Sequence, residues 1–188
     1  LSKLEGEKNI LKNFTKATIL RPSIVYSVDD NFTTNFMTLL SLLPIFPIYY
    51  SGKTKFMPIH CSDLVDIIYK VILNNMNSNI IECVGPETIT FKEIIKKILN
   101  HIDKKRILFP MPLPLAILSS KFFQLFPKPL LTEDQLKLLK YDNVISKKYK
   151  TNFDIKINAN KKFDEEINRY SYNWTSGGQF SKKIDKVS

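Results

Sequence analysis

An α/β fold is what this 188-residue chain predicts, on three observations. Segments that read as helices and as short strands alternate along most of the sequence. Two of the strands, Ala17 to Leu20 and Ile80 to Val84, are apolar at successive positions, the pattern of parallel strands covered on both faces. Helix starts also carry capping chemistry: Thr90 with Glu93 forms an S/T-x-x-E/Q box, and Thr132 with Gln135 forms a second.

The elements follow in order. "LSKLEGEKNILKNF" reads as a helix with no capping residue before Leu1, so the sequence is expected to be the later part of a longer protein. Ala17 to Leu20 is the first strand. It ends in Arg21-Pro22, where the proline holds the chain extended and removes a donor. Ligands of open parallel sheets sit beyond the carboxyl ends of the strands. Arg21, at that edge, has two readings: a wall of a ligand cleft, or an internal partner of a carboxylate that pins the turn.

A helix is expected from Thr33 to Leu43, then a short strand from Lys55 to Ile59 and a helix from Ser62 to Asn74. Leu64, Ile67, Ile68, Val71 and Ile72 form that helix's buried stripe, and Asp63 its cap. The second two-sided strand stops at Gly85-Pro86. "FKEIIKKIL" follows with Ile94, Ile95, Ile98 and Leu99 on one face, and Arg106 to Phe109 is a further short strand. Leu113 to Phe126 is amphipathic, with Leu115, Leu118, Phe122, Leu125 and Phe126 together. The stripe is core, or it docks on a partner or an anionic membrane. Helices at "EDQLKLLKYD" and Asn160 to Arg169 precede an irregular basic tail over residues 171–188.

Composition narrows the function. The net charge is +10, from 28 Lys and Arg against 18 Asp and Glu. The lysines are spread along the chain, which argues against nucleic-acid binding and for a looser attraction to an anionic membrane or an acidic partner. Cys61 and Cys83 are too few for a disulfide scaffold and read as structural thiols. His60 and Cys61 are adjacent and point apart on a strand, so they do not suit one metal ion. "MTLLSLLPIFPIYY" is broken by Pro44 and Pro47, too short a run to cross a membrane. The five glycines are Gly6, Gly52, Gly85, Gly177 and Gly178. No arrangement of them makes G-x-G-x-x-G or a P-loop, so this sequence holds no phosphate cradle of either kind.

"LSKLEGE…ATILRPSIVYS" resembles the catalytic helix through the sixth strand of extended and atypical short-chain dehydrogenase/reductases, of the NAD-dependent epimerase/dehydratase superfamily. "KFMPIHCSDLVDII" is similar to a later strand-to-helix turn of that family, and "IIECVGPETITFKEII" to its last sheet strand and following helix. "PMPLPLA", "KPLLTEDQLKLLKYDNVIS" and "RYSYNWTSGGQF" resemble the C-terminal part of one branch. That branch is the nucleotide-binding accessory subunit of respiratory complex I and its alphaproteobacterial relatives.

The resemblance implies the later part of a Rossmann-type NAD(P)-binding fold with a smaller mixed substrate or partner domain. Residues 1–35 and 62–89 would belong to the first, and residues 36–61 and 90–170 to the second. Lys3 matches the active-site lysine, whose tyrosine would stand four positions earlier, upstream of Leu1. Arg21, Pro22 and Ser23 match the segment beside the nicotinamide. Ser27 and Val28 replace the family's Gly-Pro and alter that turn.

NAD(P) is implied for the complete family member and not for this chain alone. The implied partners are complex I subunits or the missing N-terminal half. The implied location is cytoplasmic and peripheral on a bacterial inner membrane, or the mitochondrial matrix. Two alternatives stand beside the accessory role: the later part of an active NAD(P)-dependent reductase or epimerase-like enzyme, and a non-functional product of a split gene.

Overall fold

Parallel pairing between two distant strands sets the frame. The structure, a computed structural model, describes residues 2–77, 79–111 and 139–180. After helix α1 (Ser2–Asn13), β1 (Ile19–Pro22) lies parallel to β6 (Ile80–Cys83), with Ile19 opposite Ile80 and Pro22 opposite Cys83. This is the adjacency that two apolar-faced strands require. A two-residue strand, β9 (Lys150–Thr151), adds parallel to the far side of β6.

The crossover from β1 to β6 carries the second layer. β2 (Val25–Tyr26) pairs parallel with β5 (Ile59–His60), which runs into helix α3 (Cys61–Leu73). α3 lays Ile67 and Val71 over Ile81 and Cys83, with Ile157 and Ala159 completing this smaller core. The larger core joins α2 (Thr33–Leu42) to α4 (Phe91–His101). Phe36 meets Phe91 and Phe46 edge-on, and Ile94, Ile95 and Ile98 fill the space beside them.

β3 (Ile45–Tyr49) and β8 (Ile107–Met111) form a parallel ribbon over this core. β4 (Lys55–Phe56) pairs antiparallel with β7 (Ile89–Thr90). The Thr90–Glu93 capping box opens α4 as the spacing requires. The short helix α5 (Phe163–Asn168) and a 3-10 turn at Ser171–Trp174 close the described chain.

Several expectations are corrected. The strand expected over Lys55 to Ile59 is two strands, because Pro58 interrupts the ladder and the halves pair with different partners. β3 was hidden by Pro44 and Pro47. In a two-stranded ribbon every strand is an edge, so a missing donor is tolerated. The tail is not irregular at its start. Trp174 is buried, donates from Nε1 to Thr38 Oγ at 3.0 Å, and packs on Phe180. The helix expected from Asn160 shrinks to six residues.

Two further corrections share one location. β1 is half-buried instead of covered on both faces. On α3, Ile68 and Ile72 of the expected buried stripe are exposed. Leu113 to Phe126, the Thr132–Gln135 box and most of "EDQLKLLKYD" lie outside the described residues.

Candidate functional site at the carboxyl edge of the parallel strands

Arg21 leaves the end of β1 and reaches back to α1. Its Nε donates to Glu7 Oε1 at 3.1 Å and its Nη2 to Glu7 Oε2 at 2.6 Å, while the guanidinium lies 4.5 Å from the ring centre of Tyr149. The hydrogen bond from Arg21 holds the Glu7 carboxyl below the usual carboxylate range, and the same bond pushes the guanidinium's pKa up. This is the internal pairing that one reading of Arg21 expected, and it ties the first helix to the first strand.

The neighbouring residues are committed in the same way. The Ser23 N–H donates to the Cys83 carbonyl at 2.9 Å and its hydroxyl to the Asn143 carbonyl at 3.2 Å. Glu82 stands opposite Arg21 in register and accepts from the Ser146 N–H at 2.9 Å. Pro22 is exposed at the strand end. Lys3 is exposed on α1 one turn before Glu7, hence on the same helix face.

Sequence reasoning did not foresee what seals this edge. The "YDNVIS" stretch knits itself to β4: Lys55 N–H donates to Asp142 Oδ1 at 2.8 Å, Asn143 N–H to the Lys55 carbonyl at 2.8 Å, and Met57 N–H to the Asn143 carbonyl at 3.2 Å. This stretch thus joins β4 to the end of β1, where the Asn143 carbonyl accepts from the Ser23 hydroxyl. Asp30 was also missed. Its carboxylate accepts from the Phe32 and Thr33 amides and caps α2 from outside the helix.

A second polar cluster lies at the end of β5. His60, not Asp63, caps α3: its Nδ1 accepts from the Ser62 N–H at 3.3 Å. Asp63 is buried and accepts from the Lys161 N–H at 2.9 Å. Buried Glu166 meets Arg169 at 3.1 Å, Lys161 at 3.7 Å and His60 Nε2 at 3.8 Å. Tyr26 is fully buried, donates to the Lys161 carbonyl, and has its pKa pushed up by burial. Cys83 is buried and its thiol is pushed up to about 11 by burial, whereas Cys61 is exposed, contrary to expectation. Among the described residues no His, Cys, Asp and Glu group is arranged to hold a metal.

Burial holds the His60 pKa below its usual value, ahead of the opposing pull of Glu166. Between the lowered folded value and the ordinary value of about 6.5, the unfolded chain binds more protons, so stability falls with acidification through that window. Urea midpoints measured from pH 8 to pH 5 should decline for the wild type. They should decline less steeply for His60→Gln, which cannot titrate; parallel slopes for the two proteins would contradict this assignment.

No family model matches the chain. The mitochondrial NADH dehydrogenase [ubiquinone] 1 alpha subcomplex subunit 9 of Mus musculus is 29% identical over 153 residues, 77% of this chain and 39% of that protein. The mitochondrial NADH-ubiquinone oxidoreductase 40 kDa subunit of Neurospora crassa is 24% identical over 161 residues, 83% of this chain and 41% of that protein. The chain is a distant homologue of this complex I subunit.

It spans about two fifths of the length of these two relatives. Among solved structures, UDP-glucose 4-epimerase of Thermus thermophilus, a complex with NAD, aligns at TM-score 0.58 and 13% identity. The match covers 90% of this chain and 50% of that one. The dTDP-4-dehydrorhamnose reductase of Clostridium acetobutylicum aligns at TM-score 0.57 and 18% identity, covering 89% and 52%. The chain therefore has an α/β fold that matches about half of an epimerase/dehydratase structure, with β1, β6 and β9 parallel.

Proposed function

We propose that this chain is an accessory, complex-I-associated protein of the short-chain dehydrogenase type, serving as a partner-binding scaffold. The observation that supports this reading is the relation to the complex I subunits across more than three quarters of the chain. The described residues alone do not fit NAD(P). Arg21 is held by Glu7 and Tyr149, the Ser23 hydroxyl is engaged by Asn143, and the sequence has no glycine-rich turn. In this reading Lys3, Arg21, Pro22 and Ser23 border the place where a nucleotide-binding unit lies. The setting would be the membrane periphery, on the bacterial cytoplasmic side or in the mitochondrial matrix. Among the described residues no helix is long and apolar enough to cross a membrane.

The test is co-migration of the tagged protein with complex I on native gels of gently solubilised membranes. The expected result is a complex-I-sized band containing the protein. Its absence, with complex I intact and the protein expressed, removes the proposal. A companion measurement is calorimetric titration of the 188-residue chain with NAD and NADP. Binding weaker than about 1 mM, near 4 kcal/mol, is expected without a phosphate-binding turn. Dissociation constants in the micromolar range would contradict it.

A further inference from the structure

Residues 160–180 are tied to the rest of the molecule by side chains. Among the described residues, the backbone–backbone hydrogen bonds of this stretch stay within it: Glu166 N–H donates to the Lys162 carbonyl, Tyr170 to Ile167, and Phe180 to Asn173. It adds no strand to any sheet. Two carboxylates of the domain grip its backbone just before α5. Asp63 Oδ2 accepts from the Lys161 N–H at 2.9 Å, and Glu87 Oε2 from the Phe163 N–H at 3.0 Å. Tyr26 donates to the Lys161 carbonyl at 3.3 Å, the Tyr170 and Thr33 hydroxyls lie 2.8 Å apart, and Trp174 donates to Thr38. Just upstream, Ile157 and Ala159 sit in the smaller core, and Asn152 Nδ2 holds the Ile157 carbonyl. A hinge therefore falls at Asn160.

Both histidines of the chain meet this stretch. His101 Nε2 lies 3.1 Å from Asp164 Oδ1, which Lys97 also reaches at 3.2 Å. His60 is enclosed, its side chain 16% exposed. The Tyr26 ring of β2 meets it edge-on at 5.2 Å between centres, and Asp63 of α3 lies three residues on. The stretch supplies the rest of its surroundings: Glu166 at 3.8 Å from Nε2, with Lys161 and Arg169 paired to that same carboxylate. Asp63 and Glu166 favour a charged ring, whereas Lys161, Arg169 and above all burial oppose it. Lifting the stretch takes away Glu166, Lys161 and Arg169 together and opens the imidazole to water. The seated form therefore binds a proton on His60 less well than the lifted form does.

We propose that residues 160–180 form a latch with His60 as its proton sensor: seated at neutral pH, it lifts as His60 gains a proton. The inference is independent of the accessory-protein reading. Phe163, Ile167, Tyr170 and Trp174 share the larger core with α2 and α4, so the lifted latch bares apolar sides of both helices. The direction follows from linkage. Between the ordinary histidine value of about 6.5 and the lower value of the seated form, lifting takes up one proton. Across that window the lifted-to-seated ratio rises by up to about tenfold per pH unit of acidification. A charged His101 still donates to Asp164, which leaves His60 as the sensor.

Native-state amide exchange of the 188-residue chain from pH 7 to pH 5.5 tests this, with rates corrected for intrinsic exchange and read as opening constants. The Lys161 and Phe163 amides should open more readily than those of β6, which is paired on both sides. Their opening constants should rise at least about threefold on acidification. His60→Gln, which cannot titrate, should hold them level, whereas His101→Gln should keep the rise. Latch amides that open only together with β6 overturn the proposal, since the stretch then lifts only when the whole domain unfolds. A flat response in the wild type, a rise that survives His60→Gln, or one that His101→Gln abolishes overturns it as well. Should His60→Gln fail to fold, the wild-type comparison of latch with β6 and the His101→Gln response still decide.

Discussion

Gly85→Ala should cost about 3 kcal/mol or more, the upper end of what an overpacked site loses. A Cβ placed on Gly85 would lie 1.8 Å from the Pro58 carbonyl oxygen and 2.8 Å from its carbon. Both obstacles are backbone, so no side chain can rotate away. The segment cannot yield easily either. Gly85 N–H donates to the Met57 carbonyl at 3.2 Å, and Cys83 and Val84 just before it are buried. The same substitution at Gly6 is the contrast, because nothing lies within 4 Å of its Cβ and it sits inside α1. Gly6→Ala should stabilise by roughly 0.5–1 kcal/mol, since alanine loses less backbone freedom in a helix. Urea midpoints of the two variants should move in opposite directions. A Gly85→Ala protein as stable as the wild type would show that the strand does not pass against Pro58.

Asn152→Ala is the second large effect, roughly 2–6 kcal/mol from two buried groups left unpaired at about 1–3 kcal/mol each. Asn152 is fully buried. Its Oδ1 accepts from the Val84 N–H at 2.8 Å and its Nδ2 donates to the Ile157 carbonyl at 3.1 Å. One side chain thereby joins the end of β6 to the turn after β9. Asn152→Leu keeps the volume and removes the polarity. It should remain destabilised if the hydrogen bonds matter, and recover most of the loss if the alanine effect is a cavity. A loss below about 1 kcal/mol for both variants would mean that water or another group satisfies Val84 and Ile157.

The order of helices and strands was legible because period and capping are local properties. Apolar runs at Ala17 and Ile80 announced two neighbouring parallel strands, and Thr90 with Glu93 announced the start of α4. β3 was not legible, since Pro44 and Pro47 argue against a strand until a two-stranded ribbon is known. The capping role given to Asp63 failed because the carboxylate serves Lys161, distant in sequence, while a histidine side chain takes the helix amide.

The candidate site shows the same division. Arg21 could be placed at a sheet edge from its strand, but its partner Glu7 lies on the preceding helix, and nothing in the spacing marks the pair. Asn152 is one asparagine in a chain rich in them, so its role appears only once β6 and the 152–157 turn are side by side. Where the sequence demanded more burial than the structure supplies, at Leu20, Ile68 and Ile72, the discrepancy itself marks a groove beside β1 that these side chains line.

Amide hydrogen exchange at Leu20 tests most directly whether β1 continues into another α/β unit. The measurement compares the 188-residue chain alone with the same protein in its native assembly. Ile19 and Ser23 donate their amides toward β6 and its flank, so alternation sends the Leu20 amide to the other edge. If the sheet continues past β1, the Leu20 amide exchanges rapidly in the chain alone. In the assembly it slows by at least about a hundredfold, as expected for an amide drawn into a sheet ladder. Ile19, already bonded to the Asn79 carbonyl at 2.8 Å, serves as the internal reference and should change less. Equal exchange of Leu20 in the two preparations would contradict a sheet that continues beyond β1.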